Sequence, residues 1–305
     1  MRSSPTHRHP AHLSGEAALA TGHDAAGRAG VLDALVVAAH GRVAAFPRDR
    51  ELARLRQRSR ARQTAGSGRP DFRAALAGRG RLAVIAEFKR RSPSAGSIAE
   101  DLDLDVQVTR YARGGAAALS VLTEPTRFGG SYHDLARAAE VTGLPVLMKD
   151  FVVSPRQVEL AADLGAAAVL LIVRCLGDLR LTELVDACRV HGLTALVECG
   201  DRAELERALA HRDVVLGLNN RDLDTLDVDP RRGRALLEHV PADRVVVAES
   251  GFRTPGDLAA VRGAADAVLV GTALMESDDP AAFLAAAGVP QPARRPTQAR
   301  PREPS

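Results

Sequence analysis

The sequence predicts an α/β fold, a (β/α)8 TIM barrel with an N-terminal helical extension, and three observations carry that prediction. Eight short apolar segments recur between Leu82 and Gly271, separated by amphipathic stretches. These segments lack polar alternation, as strands buried on both faces of a parallel sheet do. Where polar residues do interrupt them, they gather at the C-terminal ends, the end at which such barrels carry their chemistry. An open doubly wound sheet is the alternative, but no Gly-rich dinucleotide fingerprint follows the first strand.

Residues 1–28 mix His, Arg, Ser, Ala and Gly without periodicity and are expected to be disordered, as is the Pro- and Arg-rich tail over 289–305. A single barrel domain is expected over 29–288, beginning with helices within 31–77. Leu32, Leu35, Val36 and Val43 lie at helical spacing, then Leu52 and Leu55, with Pro47 between the two helices. A short third helix fits 71–77. Strands are predicted at 82–88, 117–123, 145–150, 167–173, 194–199, 214–219, 244–249 and 267–271. Helices are predicted between them at 103–113, 131–142, 154–165, 177–191, 201–212, 229–240 and 254–263, with a last one at 278–287. Ser154-Pro155 and Thr254-Pro255 put proline at the first helical position, and Gly165 and Gly192 stop two helices.

Composition narrows the function. At 305 residues and 46% hydrophobic content the chain can bury a large core. A net charge of +3 and 3% aromatic residues, without Trp, leave little for base stacking, which argues against a nucleic-acid partner. No apolar run approaches the roughly 20 residues that span a bilayer, and the basic N-terminus lacks the apolar core of a signal peptide. Cys175, Cys188 and Cys199 have no metal-ligand spacing and read as reduced thiols, so a cytoplasmic location is expected.

Of 41 basic residues only two, Lys89 and Lys149, are lysines. Where nearly all positive charge is arginine, a retained lysine marks a position at which a guanidinium will not serve, because an ammonium can give up its proton. Both lysines fall at predicted strand ends. Such positions make up roughly a tenth of a barrel domain, so chance places both there about once in a hundred. Glu87 and Lys89 close the first strand, two residues apart and therefore on one face. Lys149 closes the third strand, Glu198 the fifth, Asn219-Asn220-Arg221 the sixth and Glu249-Ser250-Gly251 the seventh. A mouth lined by Glu87, Glu198 and Glu249 against Lys89, Lys149 and Arg221 holds its members ionised and permits selective pKa shifts, with some, such as Glu249, open to a purely structural reading as rim ion pairs. Lys149 paired with a glutamate supplies a general acid and base to one substrate.

A phosphate subsite is read separately. Gly251 after the seventh strand and Gly271-Thr272 after the eighth fit the cradle that many barrels build from those loops, and Ser92 adds a hydroxyl. None of the nine histidines occupies a strand end, which argues against a metal and leaves Lys and Glu to carry protons.

These residues stand in motifs that resemble the indole-3-glycerol phosphate synthase family over about Val31 to Leu284. The specific segments are Ile85–Ser94, Ser120–Glu124 with Phe128–Ser131, Leu147–Phe151, Leu170–Ile172, Leu196–Glu198, Gly217–Leu223, Ala248–Gly251 and Val270–Met275. The resemblance implies a carbon–carbon lyase of tryptophan biosynthesis. Its reaction closes the indole ring of 1-(2-carboxyphenylamino)-1-deoxyribulose 5-phosphate with loss of carbon dioxide and water, without a cofactor. It implies Lys149 as the acid that protonates the substrate carbonyl and Glu198 as the base in dehydration. Glu87, Lys89 and Asn219 would orient and polarise the substrate, with Lys89 a further acid. Arg221 would meet the anthranilate carboxylate, Glu249 would contact substrate, and Phe128 and Phe151 would enclose the ring. Ser92, Ser250, Gly251, Gly271 and Thr272 match the cradle. The partner implied is a phosphorylated small molecule, with no nucleic acid or membrane. A monomer is the simplest assembly, and contact with other tryptophan-pathway enzymes stays open.

Three places depart from the family pattern: Ala95 where a lysine is common, Cys199-Gly200 after Glu198, and Ser154 and Arg156 after the third strand. Two rivals remain at this point, a catalytically similar paralogue serving an indole-derived secondary pathway and another phosphate-binding barrel such as a phosphoribosyl isomerase.

Overall fold

Eight parallel strands close into a barrel in the computed structural model, which describes residues 30–65, 68–77, 80–92, 96–98 and 102–287. The two tails expected to be disordered, and Ala95, lie outside the described residues. The barrel strands are β1 (Ala83–Phe88), β4 (Ala118–Leu122), β5 (Val146–Lys149), β6 (Ala168–Ile172), β7 (Thr194–Cys199), β8 (Val215–Asn219), β9 (Val246–Glu249) and β10 (Ala267–Val270). Each pairs with its neighbours in sequence order, and β1 closes the ring against β4 and β10. All eight predicted strands are present, one or two residues shorter at most ends. The sequence reading did not foresee the two-residue strands β2 (Arg91–Ser92) and β3 (Gly96–Ser97), which pair antiparallel just beyond β1.

Period-two alternation divides the strand residues cleanly. Inward positions run from small residues at the base (Ala83, Ala118, Ala168, Ala267) through branched ones above (Ile85, Leu147, Leu170, Leu196, Val247). Outward positions such as Val84, Leu119, Met148, Val197 and Val268 pack against the helices. The inward set continues upward in parity to Glu87, Lys149, Glu198, Asn219 and Glu249, so the alternation that builds the core also delivers charge to the mouth.

The surrounding helices are α4 (Leu104–Arg113), α6 (Tyr132–Thr142), α7 (Pro155–Asp163), α8 (Asp178–Val190), α9 (Arg202–Leu209), α10 (Pro230–Leu237) and α12 (Pro280–Ala287). Their starts follow side-chain capping: Asp103, Ser131, Ser154, Asp201 and Asp229 each accept a backbone N–H of the first turn. Gly165 and Gly192 take positive φ after α7 and α8, as a helix stop requires. The stretch predicted as a helix at 254–263 is instead a 3-10 segment over Pro255–Ala260, opened by a capping box between Thr254 and Asp257. Gly256, a poor helix former, stands in its first turn and lowers the propensity for a full α-helix. Two short helices, α5 (Pro125–Phe128) and α11 (Thr272–Met275), follow β4 and β10.

The extension is built from α1 (Val31–Ala45), α2 (Arg50–Ala65) and α3 (Phe72–Leu76), with a 3-10 turn at Phe46–Arg48 where Pro47 was expected to divide the helices. Phe72 and Leu76 are fully buried in the barrel-interior cluster and plug its base. α1 lies at the opposite end, with Leu32 and Leu35 buried. α2 is fixed to α7: Arg60 Nε donates to Asp163 Oδ1 at 2.5 Å, and Arg56 Nε donates to Asp163 Oδ2 at 2.6 Å. Among the described residues no helix is long and apolar enough to cross a membrane.

Asp163 thus anchors two arginines of the extension while nearly buried itself. Asp163→Ala is expected to cost about 1–3 kcal/mol, discounted for the exposure of Arg60. A urea denaturation midpoint unchanged from wild type would show that the extension is held by its apolar face alone.

Candidate active site

A cavity of about 450 Å³ opens at the C-terminal end of the barrel. All fourteen candidate residues line it, from Glu87 on β1 to Thr272 beyond β10. On β1, Glu87 is buried and accepts from Lys89 Nζ at 2.7 Å. Across the mouth, Lys149 Nζ lies 3.5 Å from Glu198 Oε2 and 3.4 Å from Glu249 Oε2. Asn219 Nδ2 donates to Glu198 Oε1 at 2.9 Å, and Asn219 Oδ1 accepts from Arg221 N at 2.9 Å. One amide therefore orients a carboxylate with one end and the β8 exit with the other.

Space for these groups comes from glycine on the inward face. A Cβ at Gly217 would sit 2.3 Å from Glu249 Oε1, and one at Gly271 would sit 2.3 Å from Glu87 Oε1 and 2.8 Å from Lys89 Nζ. Arg221 is aimed by its Nη1, which donates to the Leu226 carbonyl at 2.7 Å. Leu226 takes a left-handed φ of 67° to offer that carbonyl. Ser250 is also left-handed, at φ 65°, a conformation that costs a non-glycine residue roughly 1–2 kcal/mol.

Phe128 and Phe151 face each other at the β4 and β5 ends, with ring centroids 6.4 Å apart. Both hang from buried carboxylates. Glu124 accepts the N–H groups of Thr126, Arg127 and Phe128, and Asp150 Oδ1 accepts Phe151 N at 2.8 Å. Arg42 of α1 bridges those carboxylates, with Nη1 3.5 Å from Glu124 and Nη2 paired to Asp150. Thus the extension holds the aromatic side of the cavity, which Val31, Leu32 and Leu35 also line.

The charges are unequally matched. Burial pushes the Glu249 carboxyl up to about 8; Lys149 opposes the shift, while Glu198 and Glu87 add to it. Among the described residues, Glu249 Oε1 finds no hydrogen-bond partner. Burial would strip the proton from Lys149, but Glu249, Glu198 and Glu87 outweigh it and raise its pKa above the usual lysine value. For Glu87, burial favours the neutral acid, but Lys89 and Lys149 prevail and lower its pKa. Desolvation lowers the Arg221 pKa.

The sequence profile of the indole-3-glycerol phosphate synthase family matches residues 32–286, the span that contains every lining residue of this cavity except Val31. The chain belongs to the indole-3-glycerol phosphate synthase family. Curated indole-3-glycerol phosphate synthases are similar over most of the chain. The one from Leptothrix cholodnii is 40% identical over 84% of this chain and 98% of its own length. That from a Nocardioides species is 50% identical over 69% of this chain and 80% of its own. Among solved structures, 3-hexulose-6-phosphate synthase from Salmonella typhimurium superposes with a TM-score of 0.55 over 67% of this chain and 96% of its own, at 16% identity, which speaks for the fold alone. As a member of the family, the chain is a carboxy-lyase of tryptophan biosynthesis, and the phosphoribosyl-isomerase alternative falls away.

Two of the departures from the family pattern are local matters. Cys199 is buried among the outward-facing core residues, and Gly200 N donates to Glu204 Oε2 at 2.7 Å. Ser154 caps α7 through Arg156 N. Sequence reading assigned no part to Arg42, Asn220 or Gly217. Gly217 shares inward parity with Asn219, which was a usable signal. Arg42 had none, being one arginine among many.

The raised Glu249 carboxyl has a signed consequence. An unfolded glutamate ionises near 4.5, so the native protein should lose stability as pH climbs from there to about 8, where native Glu249 ionises too. Glu249→Gln removes that loss. The difference in stability, variant minus wild type, is expected to grow by up to about 1 kcal/mol per pH unit across that window and then level off. Thermal melts at several pH values read it, and a difference independent of pH would mean Glu249 is ionised throughout.

Proposed function

We propose that the cavity closes the indole ring of 1-(2-carboxyphenylamino)-1-deoxyribulose 5-phosphate with Lys149 as general acid. The observation that carries this is the setting of Lys149: an ammonium raised above the usual lysine value by three carboxylates, yet held to Glu198 and Glu249 only by contacts of 3.4–3.5 Å. Such a group enters the reaction protonated and can swing to a carbonyl oxygen without breaking a short bond. As the ring carbon bearing the carboxylate attacks the substrate ketone, the carbonyl π electrons go to oxygen and Lys149 gives that oxygen its proton. Loss of carbon dioxide returns the bonding pair to the ring. In the second step the new hydroxyl leaves as water, protonated by Lys89, while Glu198 takes the proton whose removal completes the double bond.

Remaining roles follow the lining. Glu87 holds Lys89, and Asn219 holds Glu198, through the 2.7 and 2.9 Å bonds described above. Arg221, fixed on the Leu226 carbonyl, suits the anthranilate carboxylate, and Glu249 completes the substrate contacts. Phe128 and Phe151 suit the aromatic ring. Ser92, Ser250, Gly251, Gly271 and Thr272 suit the phosphate. Positioning the ring carbon against the carbonyl contributes on the order of several kcal/mol. The reading requires no cofactor and no metal, and a cytoplasmic monomer is the simplest assembly for it.

Purified protein mixed with the synthetic substrate should develop indole fluorescence. Lys149→Arg keeps the charge but gives up the transferable proton, and its kcat should fall about 10²–10⁴-fold while substrate still binds. Substantial turnover by that variant would assign the acid elsewhere. Rescue of a tryptophan auxotroph separates supply of tryptophan from service in an indole-derived secondary pathway, which shares the same chemistry.

A further inference from the structure

Asn220 is buried behind the cleft, outside the residues that line it. Both its backbone groups and both ends of its side-chain amide are engaged. Its N–H donates to the Glu249 carbonyl at 3.0 Å, and its own carbonyl accepts from Asp229 N at 2.9 Å. Nδ2 donates to the Ser250 carbonyl at 2.9 Å, and Oδ1 accepts from Gly233 N at 3.0 Å. One residue thus ties the end of β8 to the end of β9, to the turn beyond it and to α10.

The turn beyond β9 is the part that needs tying, because Ser250 and Gly251 both take positive φ, 65° and 90°. A serine holds that conformation only when its surroundings impose it. The Ser250 carbonyl belongs to the peptide whose N–H is that of Gly251. This peptide is trans, so its N–H points opposite to its carbonyl. With the carbonyl drawn back to buried Asn220, the Gly251 N–H is turned away from Asn220, and Gly251 itself lines the cavity. The fit of the amide is close on its far side as well: a Cβ at Gly233 would lie 2.6 Å from Asn220 Oδ1.

We propose that Asn220 is a positioning residue for phosphate recognition, its amide fixing the plane of the Ser250–Gly251 peptide so that the Gly251 N–H is offered to the substrate phosphate. The inference rests on the cradle reading above and adds a residue that never touches the ligand. Asn220→Asp keeps the size and the acceptor for Gly233 but loses the donor to Ser250. Its KM for the anilino-deoxyribulose phosphate and its inhibition constant for inorganic phosphate should rise together, by about tenfold or more. Its kcat should stay within about threefold of wild type, since the reacting centre is untouched. The excess in KM over wild type should narrow as pH falls from about 8 to about 5.5, where the introduced carboxyl takes up a proton and regains a donor.

Gly233→Ala crowds Asn220 Oδ1 without entering the cleft, and should raise both constants in the same direction. It decides the matter should the first variant fail to fold. Both constants within twofold of wild type in a folded variant, or a fall in kcat at unchanged KM, overturns the proposal. Wild-type enzyme that inorganic phosphate does not inhibit overturns the cradle itself, a result distinct from loss of Asn220's part in it.

Discussion

Three carboxylates share two ammonium groups in the mouth of a closed barrel, and the chemistry of the site follows from that inequality. Glu87 has Lys89 to itself at 2.7 Å, whereas Glu198 and Glu249 compete for Lys149. An unmatched buried charge is expensive, so the surplus carboxylate is the one that holds a proton. Glu249, with one oxygen unpartnered, is that group. The same competition raises the Lys149 pKa above its usual value. A weakly acidic glutamate and a firmly charged lysine are two faces of one coupled titration.

Such crowding is possible only because the backbone leaves room for it. Gly217 and Gly271 are required by space rather than by φ, since each lies where a Cβ would meet a carboxylate oxygen. Strain is spent at two other points, Leu226 and Ser250, and at each it turns a carbonyl toward a side chain that holds a cleft element in place. The extension contributes in the same way. Arg42 reaches from α1 to the two buried carboxylates from which Phe128 and Phe151 hang. The helices before the barrel are therefore part of the site's support.

Much of this was legible beforehand because it depends on a period of two. Buried parallel strands announce themselves as apolar runs, and parity then fixes which residue at each strand end faces inward, as it did for Glu87, Lys149, Glu198, Asn219 and Glu249. The scarcity of lysine singled out Lys89 and Lys149 without any knowledge of contacts. What parity cannot reach is a partner set by tertiary packing. The strand pair β2 and β3 and the 3-10 turn at Pro255–Ala260 are too short for periodicity to register. Arg42 pairs with residues 82 and 108 positions away, and Asn220 stands in a quoted motif while its side-chain partners lie in the turn beyond β9 and on α10.

Ring order explains why the two lysines occupy different strands. Around the barrel, β5 and β9 are four strands apart and therefore face each other across the mouth, yet Lys149 and Glu249 meet there at 3.4 Å. The aromatic wall stands beyond β4 and β5, and the glycine-rich loops stand beyond β9 and β10. On the proposed reading, a substrate with its ring against Phe128 and Phe151 and its phosphate at Gly251 and Gly271 lies across that pair. In the anilino-deoxyribulose phosphate the reacting ketone comes between ring and phosphate along the chain, which sets it over Lys149. Lys89 stands beyond β1, between β4 and β10 in the ring, and on that reading approaches the same carbon from the side. On the same reading, two acids on separate strands address one oxygen as it changes from ketone to leaving hydroxyl, without the substrate turning over.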